Sequence, residues 1–255
     1  MTTGALIFAI NNSAIDYLAM AEWSAKNIQR HLSIPTKIIT SQDIETTLGN
    51  SRWFTDYQQS AIWHNQSRVD AYTLSPWDRT LLIDADYVVA SDQLGVLLDS
   101  DQDFLAHRWA YDVTAKNNFA GLNFFGQFKM PQWWATVVMF TKSERSRLIF
   151  EAMSMIKNNW NHYTKLYNVR SGVYRNDFAL SIALGIVNGH TQGYPEIPWQ
   201  LASVLPDHQL SRSGEDQYRI DFLTEEQKSR YVVLKNQDFH AMGKRNLGDI
   251  IASLT

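Results

Sequence analysis

Apolar and polar positions along the chain alternate between strand-like runs and helix-like stripes. Ala5-Leu6-Ile7-Phe8-Ala9-Ile10 is an unbroken apolar run of strand length, and the polar turn Asn11-Asn12-Ser13 follows it. Ser13 with Asp16 reads as a capping box. Beyond it Leu18, Ala21, Ala25, Ile28 and Leu32 recur at three- and four-residue steps, which predicts an amphipathic helix. Thr36-Lys37-Ile38-Ile39-Thr40 predicts the next strand, so the chain opens with a βαβ unit, whose ligands bind beyond the carboxyl ends of the strands. The apolar run Thr80-Leu81-Leu82-Ile83 predicts a third strand, and Asp103-Phe104-Leu105-Ala106-His107 and Thr136-Val137-Val138-Met139-Phe140 predict two more. Between these last two lies an irregular stretch with Asn117, Asn118, Gly121 and Gly126, long enough for a substrate-facing loop. Thr141 with Glu144 is expected to cap a helix that turns Leu148, Ile149, Ala152, Met155 and Ile156 to the core. Asn176-Asp177-Phe178-Ala179-Leu180 opens a further helix with Ala179, Ile182, Ala183 and Ile186 as its buried stripe and Gly189 near its end.

Composition narrows this to one globular α/β domain. The chain has 255 residues, 45% hydrophobic and 19% charged, with no internal repeat or low-complexity tract to divide it. With no cysteine, disulfides, Cys-ligated zinc and thiol catalysis are excluded, and a reducing compartment is compatible. No apolar run reaches the ~18 residues of a membrane span, and the N-terminus has no basic region of the secretory kind. The expected location is therefore cytoplasmic, with no membrane partner. A G-x-G-x-x-G dinucleotide fingerprint is absent.

The chemistry concentrates at Asp84-Ala85-Asp86, which closes the third apolar run and precedes Tyr87-Val88-Val89. If the chain stays extended through the tripeptide, the two carboxylates share one face of the strand. Convergent carboxylates make a hard oxygen site for Mg²⁺ or Mn²⁺, and such a site commonly carries substrate phosphates as well. The plainer reading is a polar strand end, where Asp is common.

With its upstream flank this block reads RVDAYTLSPWDRTLLIDAD, and it resembles the donor-binding segment of GT-A glycosyltransferases, most nearly the glycogenin-like, retaining type. In that family a basic residue on a helix, a turn and an apolar strand lead to the Asp-x-Asp that holds metal and nucleoside diphosphate. Arg68 takes the basic position, and Pro76 marks the turn. The resemblance extends to Asp238-Phe239-His240-Ala241-Met242-Gly243-Lys244. There it implies His240 as the third metal ligand, Gly243 as the point of backbone approach to the diphosphate and Lys244 as its counter-charge. The family's Lys-Pro-Trp ending is replaced by Lys244-Arg245-Asn246. The resemblance also implies Ala9, Asn11 and Tyr17 at the nucleotide base, Ala85 among the donor contacts, and Asp177 as the acid that reaches the transferred sugar.

The implied fold is a GT-A, Rossmann-like α/β domain with a central, mostly parallel sheet flanked by helices. Residues 1–107 would form the nucleotide-sugar half, and 108–255 the acceptor half with the metal and phosphate motif. The implied activity is metal-dependent transfer of a sugar from a nucleotide-sugar donor, a UDP-sugar by the same likeness, to a hydroxyl. Where the family has Asn-x-Gly, this chain has Trp133-Trp134-Ala135-Thr136, which leaves the acceptor open.

Residues 108–175 carry ten Lys/Arg against three acids and fourteen aromatics, in a chain of net charge −3. Cations interleaved with aromatic rings suit a nucleic-acid strand, through phosphate attraction and base stacking. PQWWATVVMF and YRNDFALSIAL resemble transferase-like proteins of large tailed bacteriophages, which glycosylate hydroxymethylated bases. The acceptor expected on these grounds is such a base in DNA, in a host cytoplasm, with Trp133 and Trp134 stacking on it and Lys116, Lys129 and Arg145 on its phosphates. The alternatives are a saccharide or protein hydroxyl as acceptor, a nucleotidyltransferase, and a non-catalytic nucleotide-sugar or nucleic-acid binder. The nucleotidyltransferase lacks the early glycine-rich basic loop it would need.

Overall fold

The computed structural model of the chain describes residues 1–40, 55–59, 65–191 and 193–254. In chain order the first strands are β1 (Thr3–Ala9), β2 (Thr36–Thr40), β3 (Thr55–Gln59), β4 (Arg79–Asp84), β5 (Tyr87–Val88), β6 (Phe104–His107) and β7 (Ala110–Asp112). The short pair β8 (Phe124–Phe125) and β9 (Met130–Pro131) leads into β10 (Trp134–Thr141). Then come β11 (Leu201–Val204), β12 (Gln209–Gly214), β13 (Gln217–Leu223), β14 (Ser229–Lys235) and β15 (Phe239–Ala241). The helices that matter for the site are Tyr17–Leu32, Glu144–Asn158, Asn176–Val187 and Lys244–Ala252.

Among the described residues the main sheet has six strands in the order β3-β2-β1-β4-β10-β6. The pairings from β3 to β4 are parallel, and β10 runs antiparallel to both neighbours, so the sheet is α/β and mostly parallel as its pattern predicts. Parallel strands covered on both faces read as continuous apolar runs, and β1 does so. Ala5 and Ile7 join one core cluster, beneath the helices Tyr17–Leu32 and Lys244–Ala252, while Leu6 and Phe8 join the other, beneath Glu144–Asn158 and Asn176–Val187. The indole of Trp77 lies against Gly4, where an added Cβ would fall inside the ring.

A second, four-stranded sheet, β5-β15-β11-β7, stands beyond the carboxyl end of β4. It draws its strands from distant parts of the sequence, and β15 occupies an interior position between β5 and β11. A three-stranded antiparallel meander, β12-β13-β14, packs near the helix Tyr17–Leu32, whose Arg30 pairs with Glu215 at 2.7 Å and also with Asp216.

Three local expectations need correction. Ser13 does not cap the first helix. Asp16 does, accepting from the Ala19 amide at 3.0 Å, because its carboxylate sits one residue before the helix while Ser13 lies in the exposed bend. Ser143, not Thr141, caps the helix Glu144–Asn158, and the Thr141 hydroxyl instead donates to the Asp103 carboxylate at 2.9 Å. Leu148 and Met155 are 41% and 43% exposed, since the buried face is carried by Ser146, Ile149, Phe150, Ala152, Met153 and Ile156.

Candidate metal and phosphate site

β4 ends at Asp84, and Ala85 and Asp86 form a turn before β5 resumes the extended chain. The two carboxylates therefore converge across a turn and not along a continuing strand. Asp84 is fixed by register: it pairs with Phe8 at the end of β1, beside the fully buried Ala9. Asp86 is fixed by the second sheet. The Ala241 amide donates to the Asp86 carbonyl at 2.9 Å, and His240 pairs with Tyr87 on one side and Ser203 on the other. Through this pairing β15 delivers His240 to the Asp pair.

Among the described residues Asp84, Asp86 and His240 form the cluster able to hold a metal ion, with one ligand atom from each lying within 4.8 Å of the others. His240 Nε2 is 3.5 Å from Asp86 Oδ2, and Lys244 Nζ is 2.8 Å from the same oxygen. Asp86 is 4% exposed and His240 9%. Asp84 pairs with the guanidinium of Arg68, which is itself buried and also donates to the carbonyl of Ala135. Two carboxylates and an imidazole form an oxygen-rich set with one borderline ligand, and this fits Mn²⁺ or Mg²⁺. The buried His240 Nδ1 has no hydrogen-bond partner, while Nε2 faces Asp86.

The electrostatics are those of a compact mixed cluster. Burial pushes Asp84 up to about 6, against the pull of Arg68. At Asp86 burial acts the same way, but His240 and Lys244 outweigh it and hold the carboxyl well below the usual range. Burial lowers the affinity of His240 and Lys244 for protons, and the Asp86 carboxylate more than reverses this in both. Asp86 is thus the ionised hub of the site.

No family model matches the chain, and no curated protein matches it in sequence. Solved structures do show likeness. The glycosyltransferase GlyE of Streptococcus pneumoniae TIGR4 aligns at a TM-score of 0.46 and 15% identity, over 78% of this chain and 46% of that one. The galactosyltransferase LgtC, in complex with donor and acceptor sugar analogues, aligns at 0.46 and 16%, over 72% of this chain and 70% of that one. An active-site mutant of LgtC aligns at 0.48 and 14%, over 76% and 72%. The chain spans less than half the length of the Streptococcus protein.

The other residues singled out in the sequence are distributed unevenly around this cluster. Tyr17, half-buried, lies within electrostatic reach of Lys244, Asp86 and Asp84, and burial raises its pKa. Ala85 is buried beside the Asp pair. The Asn11 side chain is committed to the helix start, donating to Asp16 Oδ1 and accepting from the Leu18 amide, each at 2.8 Å. Gly243 precedes the helix Lys244–Ala252 with φ −79°, and an added Cβ would meet Asn246 and Pro206 at an ordinary 3.5 Å, so the chain's own packing does not demand glycine there. Asp177 opens the helix Asn176–Val187. It accepts from the Ala135 amide at 2.8 Å, and its charge is felt at Asp84.

The expected base-stacking platform is not open. Trp133 and Trp134 are each 6% exposed, Trp133 against Tyr194 and Trp134 stacked on Phe119, because the start of β10 runs through the core. Lys116 is paired with Asp207 at 3.3 Å, and Arg145 lies over the Tyr194 ring and donates to Asn188. Lys129 is exposed, in a left-handed conformation at φ 48°.

Two residues of the site went unassigned in the sequence. Tyr174 has a buried hydroxyl without a hydrogen-bond partner, within electrostatic reach of Arg68 and Asp177. Asp238 is buried two residues before His240, where its carboxylate accepts from the Ala90 amide at 2.8 Å and the Ser91 hydroxyl at 2.9 Å, tying β15 to the segment after β5. The signal for Asp238 was its place in the His240 motif. Tyr174 carries none that a single sequence discloses.

Proposed function

We propose that this chain is a metal-dependent glycosyltransferase of GT-A type, moving a sugar from a nucleoside-diphosphate donor to a hydroxyl. The observation that carries the reading is the convergence of Asp84, Asp86 and His240 with Lys244 beyond the carboxyl end of β4. A divalent ion held by Asp84, Asp86 and His240 would supply Lewis-acid stabilisation of a diphosphate. In the transfer the bond from the anomeric carbon to the β-phosphate oxygen breaks, its electron pair leaving with the diphosphate, and the acceptor oxygen bonds to that carbon as its proton is lost.

The residues of the chain divide this work. Lys244 brings positive charge to the departing diphosphate, and stabilising that charge is the main way such a site lowers the barrier, while the buried Arg68 fixes Asp84. Gly243, lacking a side chain, is the point at which the backbone would approach phosphate oxygens in this reading. In the same reading Asp177 orients the sugar or accepts the acceptor proton. Tyr17 borders the base side of the donor, which we take to be a UDP-sugar with Mn²⁺ preferred, acting in the cytoplasm with retention at the anomeric carbon as in the glycogenin-like type. For the acceptor, burial of both tryptophans and engagement of Lys116 and Arg145 favour a saccharide hydroxyl over a hydroxymethylated base in DNA.

The test is release of nucleoside diphosphate from a panel of UDP- and GDP-sugars with Mn²⁺ or Mg²⁺. At least one donor should turn over, and the D84N and D86N variants should lose that turnover. A folded protein that binds Mn²⁺ but releases nothing from any donor would be a binder and not a transferase.

A further inference from the structure

We propose that a cavity lined by Trp133 and Ser181 seats the acceptor, and that this acceptor is a neutral oligosaccharide. The proposal rests on the transferase reading above and adds a site and a substrate class to it. The cavity has a volume of about 990 Å³ and lies between β8, β9 and the C-terminal half of the helix Asn176–Val187. Its wall begins at Ser181, whose hydroxyl accepts from the Trp133 amide at 2.7 Å and donates to the Asp177 carbonyl at 2.6 Å. Ser181 is one helical turn, ~6 Å along the axis, from Asp177. One rigid helix therefore presents Asp177 to the ion site and Ser181 to the cavity.

The mouth is lined by rings. Trp109, Phe124 and Phe128 line it and are 38%, 46% and 70% exposed, large apolar surface that the fold leaves uncovered. Arg108 holds two of them in place, its guanidinium 4.3 Å from the Trp109 ring centroid and 4.9 Å from that of Phe124. That cation is 7% exposed and donates to the Gln132 carbonyl at 3.0 Å, so its charge is spent on the wall and not offered to a ligand. Glu196 contributes a carboxylate within electrostatic reach of Arg108, and Lys129 adds an exposed ammonium, so the lining offers hydrogen-bonding groups of both signs. Ring faces complement the C–H faces of pyranoses, a carboxylate accepts from sugar hydroxyls, and the same carboxylate repels phosphate. Ligand cavities span roughly 300–1,000 Å³, and this one, about 990 Å³, sits at the upper end, with room for several sugar rings.

The experiment applies the fluorescently labelled full chain, without donor or metal, to an array of glycans. The strongest neutral ligand is then titrated in solution against wild type, W109A, F128A and E196Q. At least one neutral oligosaccharide should bind. W109A and F128A should each weaken it at least tenfold and E196Q at least threefold, while affinity for UDP with Mn²⁺ stays unchanged in all three. Phe128 is mostly exposed, so its loss leaves the fold intact. The proposal is overturned if no neutral glycan binds, if binding ignores both ring substitutions, or if a single-stranded DNA 20-mer at 150 mM salt binds more tightly than every neutral glycan. Failure of donor turnover alongside glycan binding would remove the transferase reading and leave the cavity assignment in place.

Discussion

Arg68 and Asp177 grip the same residue from opposite ends. Arg68 donates to the carbonyl of Ala135, and Asp177 accepts from its amide at 2.8 Å. Because Arg68 also pairs with Asp84, the end of β4, the start of β10 and the first turn of the helix Asn176–Val187 are locked into one polar unit. R68M should therefore destabilise the apo protein by about 3 kcal/mol, the lower end for breaking a buried pair. Added Mn²⁺ should recover part of that loss by replacing the positive charge beside Asp84. Urea unfolding with and without Mn²⁺ measures both, and a loss that Mn²⁺ leaves untouched would place Arg68 outside the ion site's field.

Asp177 can be separated into its two roles. D177N keeps an oxygen that accepts from the Ala135 amide, so stability should change by about 1 kcal/mol or less. Turnover should nevertheless fall by at least a hundredfold if the carboxylate handles the sugar or the acceptor proton. A variant with normal turnover would reduce Asp177 to a helix-start and backbone anchor.

Lys244 should act on phosphate and not on the base. K244A is expected to weaken binding of a nucleoside diphosphate at least tenfold while binding of the matching nucleoside changes little, both read by calorimetry with Mn²⁺ present. Equal losses for the two ligands would assign Lys244 to support of Asp86 alone.

His107 gives the fold an acid sensitivity. It is fully buried, both ring nitrogens lack hydrogen-bond partners, and burial lowers its pKa to about 3, with a smaller push from His240. The folded state thus binds the neutral ring, so this contribution is present above the unfolded value of about 6.5 and is lost as pH falls towards 3. Between pH 6.5 and 4.5 the loss should be about 2 kcal/mol. H107L should flatten that slope in urea midpoints measured at the two pH values, and an unchanged slope would trace the acid sensitivity to other groups.

Gly4 is required for contact and not for conformation. A Cβ there would enter the Trp77 ring, so G4A should cost about 1–3 kcal/mol through overpacking. In a W77L background the cost should shrink, since the two sites share one contact. Additive losses would indicate that the strand backbone, and not the indole, is what the methyl disturbs.

Within the main sheet β1, β2, β4, β6 and β10 were legible because they are largely buried on both faces and so read as apolar runs, whereas the polar Thr55–Gln59 of β3 carries no such signal. The Asp84, Asp86 and His240 grouping was legible through motif order, although the geometry that joins the two carboxylates is a turn. The meander was missed. Its strands alternate buried residues such as Tyr218 and Ile220 with exposed charges, and this weak period-two signal lay among polar residues. The ring-rich middle misled differently: composition records how many aromatics a segment holds but not which face the core. Trp133 and Trp134 went inside, and Trp109, Phe124 and Phe128 stayed out.

The interior position of β15 has a consequence for how the molecule is made. Asp84 and Asp86 emerge from the ribosome some 150 residues before the strand that supplies His240, and that strand must insert between two partners already waiting for it. Such long-range pairing forms late. Synthesis therefore leaves the acidic pair without His240 and Lys244 until β15 docks, and ion affinity should rise only with that step. Measured on arrested chains of increasing length, metal binding would report the docking of β15.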